Sequence, residues 1–222
     1  MIKFNIKLHP GKFVLFEKNI EWGGKMLSAE GLAPALYRIV SIKDMPLPTT
    51  TTLDQLMHFV YGAAWFRGHL SYFAEVAAPL YDLWKDTLAP YKRKTSANAK
   101  KFKLDDLPGW KGGGEAAFEG VKELMAQAVT TAYFDSTKQT CVFTDANKEF
   151  WCLVITQCEP GDELLPWDKQ AGKHQPLVIE SGRFRHAQLR WSTVEKEGWV
   201  VGVKSLDYEH WLNGGILPVK CF

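Results

Sequence analysis

The sequence reads as a mixed α/β chain, on three observations. Apolar residues recur at helical spacing from about Thr52 and again from Glu115. Short runs rich in β-branched and aromatic residues at 140–144, 150–156 and 176–180 read as strands. A further helix over 193–212 leads into a last strand at 217–222. With 222 residues, 46% of them hydrophobic, the chain can bury a sizeable core, and its length allows one or two domains.

The elements follow in order. Residues up to 27 read as short strands: 13–16 and 20–22 flank a turn at 17–19, and Gly23-Gly24 breaks the second. A turn and a short helix over 28–44 carry Leu36, Ile39 and Val40 on one face, and Pro46 and Pro48 end it. Leu53, Leu56, Phe59 and Val60 form the stripe of a longer helix capped by Thr51 or Thr52. The pattern resumes through Trp65, Leu70, Phe73, Val76 and Leu80, with Pro79 opening a further turn, and Trp65 and Phe66 read as core rather than base-stacking residues. Residues 86–109 lack periodicity and mark a boundary. Gly112-Gly113-Gly114 follows no strand and lacks a Gly-Lys-Ser/Thr ending, so it is not a phosphate-binding loop. Phe118, Val121, Met125 and Ala128 then mark one helix face, 159–175 reads as a long polar loop, and Trp199, Val203, Leu206 and His210 mark the last helix, which Asn213-Gly214-Gly215 stops.

A formal net charge of +2 is too small to imply nucleic acid, but its distribution is uneven. Lys85, Lys92, Arg93, Lys94, Lys100, Lys101 and Lys103 face a single acidic neighbour, Asp86, between them; the segment is either a solvated linker or a phosphate-facing surface. The four cysteines show no C-x-x-C pair and no zinc-ligand spacing with the six histidines, and Cys141 and Cys152 read as reduced core residues. No secretory leader opens the chain and no run reaches the length of a membrane span, so the expected setting is soluble and intracellular, cytoplasm or nucleus.

The candidate chemistry lies in two carboxylates. Asp145 ends the apolar strand at Thr144-Asp145-Ala146-Asn147, where a turn former is the plain alternative. Ser192-x-x-Glu195 is a capping box, which gives Glu195 a structural task and leaves Glu197 as the better ligand candidate. Magnesium takes oxygen ligands and keeps several waters, so a few carboxylates plus a substrate phosphate suffice to hold it. Asp207 and Glu209 read as surface residues, Asp135, Asp162 and Asp168 as turn or loop residues, and His186 and His210 as hydrogen-bonded or surface histidines.

These stretches, in this order, resemble the polyprotein of gypsy-like LTR retrotransposons, from the end of reverse transcriptase into ribonuclease H. The match runs through residues 5–12, Ile20-Glu21-Trp22-Gly23-Gly24 with 25–32, 38–49, Phe59-Val60-Tyr61-Gly62 and Ala77-Ala78-Pro79-Leu80. It continues in Trp110, 115–124, Thr144-Asp145-Ala146-Asn147, Gln157, Ser181-Gly182-Arg183-Phe184, Ala187-Gln188 and 191–197. Asn147 stands where the family usually has Ser, and Glu149-Phe150-Trp151 fills a position that is often Gly-rich.

The resemblance implies a partial ribonuclease H-like mixed sheet, preceded by a palm-end β-hairpin and a helical thumb and connection. Its expected divisions are 1–30 (palm end, primer-positioning hairpin), 31–107 (thumb, connection and basic linker) and 108–222 (ribonuclease H-like, incomplete at its C-terminal end). A three-stranded antiparallel unit should pass through the helix at 193–212 to a strand parallel with the first. Asp145 and Glu197 become the first two metal-binding carboxylates, for two Mg2+ ions in the parent enzyme. Trp22, Gly24, Lys92, Arg93 and Lys94 become candidate nucleic-acid contacts. The implied partners are an RNA–DNA hybrid and the rest of the polyprotein, including the palm and the remaining nuclease half, with no membrane. The parent activity is Mg-dependent hydrolysis of RNA in such hybrids; with the polymerase aspartates and two further nuclease carboxylates outside the sequence, this chain alone is expected to be inactive. A non-catalytic nucleic-acid-binding remnant, or a decayed element, is the alternative.

Overall fold

The computed structural model describes residues 9, 11, 16–46, 51–164 and 172–222. Residues 13–15 of the expected strand at 13–16, most of the matching stretch 5–12, Pro48 and Asp168 lie outside them. The first element is a three-stranded meander, β1 (Ile20–Trp22), β2 (Lys25–Leu27) and β3 (Leu32–Pro34), in the order β1-β2-β3. Gly23 and Gly24 end β1 as expected; both have positive φ and form the two-residue turn of the hairpin, a geometry glycine adopts without penalty. Gly31 is required for another reason. Its φ is 138°, and a Cβ there would run into the Thr131 carbonyl, where Leu32 and Thr131 exchange backbone hydrogen bonds of 2.8 and 2.9 Å.

Helices α1 (Leu36–Lys43), α2 (Leu53–Ala64), α3 (Phe73–Thr87), α4 (Ser96–Ala99) and α5 (Glu115–Ala126) follow. Thr52 caps α2, its N–H donating to Gln55 Oε1 at 3.0 Å. Leu53, Leu56, Phe59, Phe73, Leu80, Trp110, Phe118, Val121 and Met125 share one buried cluster, so α5 completes the core of α2 and α3. Three expectations fail here. Leu36 and Val40 face solvent, and Ile39 and Ile42 are the residues of α1 that pack on the core. Pro79 opens no new turn: α3 runs through it, because Phe73, Ala77, Leu80 and Leu83 bury one face and outweigh the missing N–H. Trp65 is 62% exposed; only Phe66 of that pair is core.

The second sheet has the order β6-β5-β4-β7, from β4 (Gln139–Ala146), β5 (Phe150–Cys158), β6 (Gln175–Arg183) and β7 (Lys220–Cys221). β4, β5 and β6 are antiparallel neighbours, and β7 lies parallel to β4, pairing Cys141 with Lys220. That is the topology expected from the resemblance. Between β6 and β7 the chain is helical in unequal pieces: α6 (Thr193–Trp199), a widened turn over Val200–Lys204, a tight turn over Ser205–Tyr208, and α7 (Glu209–Leu212). The widened turn shifts the helical register. Val203 and Leu206 therefore point outward, and Val200 is buried, with Trp199, Tyr208, Trp211 and Leu212 packed against a second cluster of Val142, Trp151, Leu153, Ile155 and Phe184. Gln157 pins the start of β4: its side chain bonds both polar groups of the Asp135 backbone at 2.8 Å and the Thr140 hydroxyl at 3.1 Å.

The two clusters are tied at α3. The Ala74 N–H donates to Ser181 Oγ at 3.0 Å, and Arg183 bridges Asp82 and Glu149 at 2.8 and 2.7 Å. No helix among the described residues is long and apolar enough to cross a membrane.

Candidate functional site

Strand alternation decides which way each carboxylate looks. Asp145 pairs with Cys152, and Cys152 with Ser181, so the three share a face of the sheet. Ser181 Oγ receives the Ala74 N–H, so that face looks to the start of α3. There Asp145, exposed at the strand end, lines a shallow recess with Tyr72, Glu75, Asn147 and Cys152. Burial, helped by the charges of Asp145 and Glu75, pushes the Tyr72 phenol up. Asn147 is the turn former: its Oδ1 accepts the N–H groups of Glu149 and Phe150 at 2.9 and 2.8 Å, and its Nδ2 donates to Glu75 at 3.3 Å.

Glu197 sits on the helix of the opposite face. Val142, Ala146 and Trp151 form one buried cluster with Val200, and Trp199 packs against it. The capping box at the helix start is present as read from the sequence. The Ser192 N–H donates to Glu195 at 2.7 Å, Ser192 Oγ accepts the Glu195 N–H at 3.3 Å, and the Ser192 bonds hold the Glu195 carboxyl below its ordinary range. The residue turned inward is Lys196, whose Nζ donates to the Lys148 carbonyl at 2.7 Å across the Phe184 ring. Glu197 is exposed, and among the described residues no hydrogen bond or ion pair joins it to Asp145. Asp145 and Glu197 have the right donor chemistry for Mg2+, but the described residues gather no trio of Asp, Glu, His or Cys ligand atoms at this end of the sheet. The residues present do not by themselves complete a two-ion site.

The other candidate residues lie on the helical part. Gly23 and Gly24 wall a cleft of about 510 Å³ between the hairpin turn, α1 and α2, lined also by Arg38, His58 and Trp65. The Trp65 indole N–H donates to the Gly23 carbonyl at 2.8 Å, which fixes the exposed ring beside the turn. Trp22, one residue earlier, is 76% exposed. Lys92, Arg93 and Lys94 are all exposed, and none is in an ion pair among the described residues. Their segment returns to the start of α2, where the Leu53 N–H donates to the Phe102 carbonyl at 3.0 Å, whereas the hairpin turn sits at the end of α2. The twelve-residue helix α2 is itself about 18 Å long at 1.5 Å per residue. Sequence reasoning placed Trp65 in the core and passed over Arg38 and His58; the only signal was the hairpin turn, which had to find a neighbour to pack on.

No protein-family model matches the chain. It is 22% identical over 218 residues to the retrovirus-related Pol polyprotein from transposon 412 of Drosophila melanogaster, covering 98% of this chain and 15% of that polyprotein. It is 23% identical over 195 residues to the corresponding polyprotein of the Drosophila transposon opus, and 21% identical over 217 residues to the transposon Tf2-3 polyprotein of Schizosaccharomyces pombe. Among solved structures, a foamy viral protease-reverse transcriptase in complex with dsDNA superposes with TM-score 0.61 at 14% identity, covering 93% of this chain and 37% of that one. The foamy viral enzyme in complex with an RNA/DNA hybrid gives 0.60 at 14% identity over 95% of this chain and 24% of that one. The mixed α/β fold is thus one found in a viral protease-reverse transcriptase. The resemblance read from the sequence stands: the chain is related to the Pol polyproteins of LTR retrotransposons, and it spans less than a fifth of the length of the three matched here.

Proposed function

We propose that this chain is the part of a retrotransposon Pol polyprotein that runs from the reverse-transcriptase thumb and connection into the ribonuclease H-like sheet, and that it holds an RNA–DNA hybrid. The parent activity is hydrolysis of the RNA strand with Mg2+, to which Asp145 and Glu197 contribute two carboxylates. The observation that carries this reading is end-to-end similarity to Pol polyproteins together with a fold shared with reverse transcriptases solved on duplex nucleic acid. The exposed Trp22 and Trp65 at the hairpin offer stacking surfaces, and the exposed cations of 92–94 offer phosphate contacts. Hybrid recognition of this kind rests on backbone charge and helical shape rather than base sequence.

A second reading, binding without catalysis, is favoured by one observation: Glu197 lies on a helix packed against the sheet face opposite to the one that carries Asp145. The two readings separate in one experiment. A labelled RNA–DNA hybrid is titrated with the chain at several salt concentrations and then incubated with Mg2+. Both readings expect binding that weakens steeply with salt, and replacing Lys92, Arg93 and Lys94 by Ala should flatten the salt slope by about one for each phosphate that is no longer neutralised. Cleavage abolished by Asp145→Asn supports the catalytic reading; binding without cleavage supports the other. Absent or salt-independent binding overturns both.

A further inference from the structure

The far end of β4 carries a second constellation, unrelated to the carboxylates. Cys141 on β4, Cys158 on β5 and His174, just ahead of β6, bring their ligand atoms within 4.8 Å of one another, the only such trio among the described residues. Strand pairing builds it: Cys141 lies opposite Thr156 and Cys158 opposite Gln139, so both thiols share a face. His174 is held there by a 2.8 Å hydrogen bond between its Nδ1 and Thr156 Oγ1 and by an edge-on contact with Phe143. That bond leaves Nε2, the one buried side-chain nitrogen or oxygen among the described residues without a hydrogen-bond partner.

We propose that Cys141, Cys158 and His174 bind a soft divalent cation, zinc by preference, in a structural site that clamps the ends of β4, β5 and β6. Two thiolates and an imidazole are the donors zinc prefers, and tetrahedral binding brings such atoms about 3.6–3.8 Å apart, a contraction of about 1 Å from the largest separation here. The Thr156 hydroxyl serves as the outer partner: with Nδ1 as the N–H it fixes the ring and turns the Nε2 lone pair to the metal. Glu163, buried beside the trio and held by the Gly161 N–H at 2.7 Å, is the carboxylate placed to fill or border the fourth position.

The test is a Co2+ titration of the full chain under reducing conditions, followed by displacement with Zn2+. Expected are sulfur-to-cobalt charge-transfer bands and the intense visible bands of tetrahedral cobalt, saturating at one ion per chain and bleached by zinc. Cys141→Ser, Cys158→Ser and His174→Ala should abolish or markedly weaken them, whereas Cys152→Ser, buried at the other end of the strand, should keep them. Thr156→Val should weaken binding about 10- to 100-fold. Circular dichroism of each metal-free variant separates loss of the site from loss of the fold, and His174→Ala, changed just outside the strands, is the arm least exposed to misfolding. A folded wild-type chain without these bands, or bands that survive in both Cys141→Ser and Cys158→Ser, would overturn the proposal.

Discussion

The two ends of strand β4 differ in how their polar groups are brought together. At one end Asp145 stands in a motif visible in the sequence, yet Glu197, the second carboxylate expected from the resemblance, sits on a helix packed against the opposite face. At the other end no sequence motif exists, yet pairing of β4 with β5 brings two thiols and an imidazole within 4.8 Å. Four residues of strand, about 14 Å, separate the two. A motif marks where a ligand could serve once its surroundings are complete, whereas strand register assembles groups that are distant in sequence. Asp145 is exposed at the carboxylate end, whereas Cys141 and Cys158 at the thiol end are buried.

Both ends can be disturbed at once from the middle. Ile155 is fully buried and pairs with Val142 at the centre of the sheet. Ile155→Ala should cost about 2–5 kcal/mol in chemical denaturation, and both ends should fail together, with faster amide exchange around Asp145 and weaker cobalt binding appearing in parallel. If one survives intact, the ends are independent units rather than two ends of one sheet.

A smaller perturbation acts at one end only. Gly182 lies on β6 against the Trp151 indole, and a Cβ there would come within 2.7 Å of Trp151 Nε1. Gly182→Ala should destabilise by about 1–3 kcal/mol through overpacking and disturb the Asp145 end, while the cobalt spectrum of the thiol end remains that of the wild type.

The mildest probe is pH. His69 is buried, and burial, then the nearby Lys25 charge, pushes its pKa down against the opposing hydrogen bond to the Val129 carbonyl. The unfolded chain therefore takes up this proton at a higher pH than the folded one. Its contribution is fully present above about pH 6.5 and is lost as pH falls below that value towards the depressed folded pKa. Thermal melts across this window should show the loss in the wild type and a flatter profile in His69→Gln, with neither end of β4 involved.

Much of the fold was legible because its elements are amphipathic in the ordinary way. The stripe Leu53, Leu56, Phe59 and Val60 and the stripe Phe118, Val121 and Met125 lie in the core as read, and the strands expected at 140–144, 150–156 and 176–180 are present and somewhat longer, whereas the one expected at 217–222 shortens to Lys220–Cys221. Failures cluster where local spacing is overruled. The widened turn after Trp199 rotates Val203 and Leu206 outward, and Trp65 leaves the core to bond the Gly23 carbonyl. Pro79 is carried inside α3 by the packing around it. The capping role of Glu195 could be read from four residues, because a capping box is local. The Cys141, Cys158 and His174 cluster could not, since its spacing is set by strand register and by the loop ahead of β6.

The most direct measurement is native mass spectrometry of the chain in the presence of zinc and magnesium together. One zinc should be retained, lost in Cys158→Ser and unaffected by Asp145→Asn, and no magnesium should be retained at Asp145 and Glu197 without nucleic acid. Retention of magnesium that Asp145→Asn removes, with no zinc bound, would contradict both halves of that expectation.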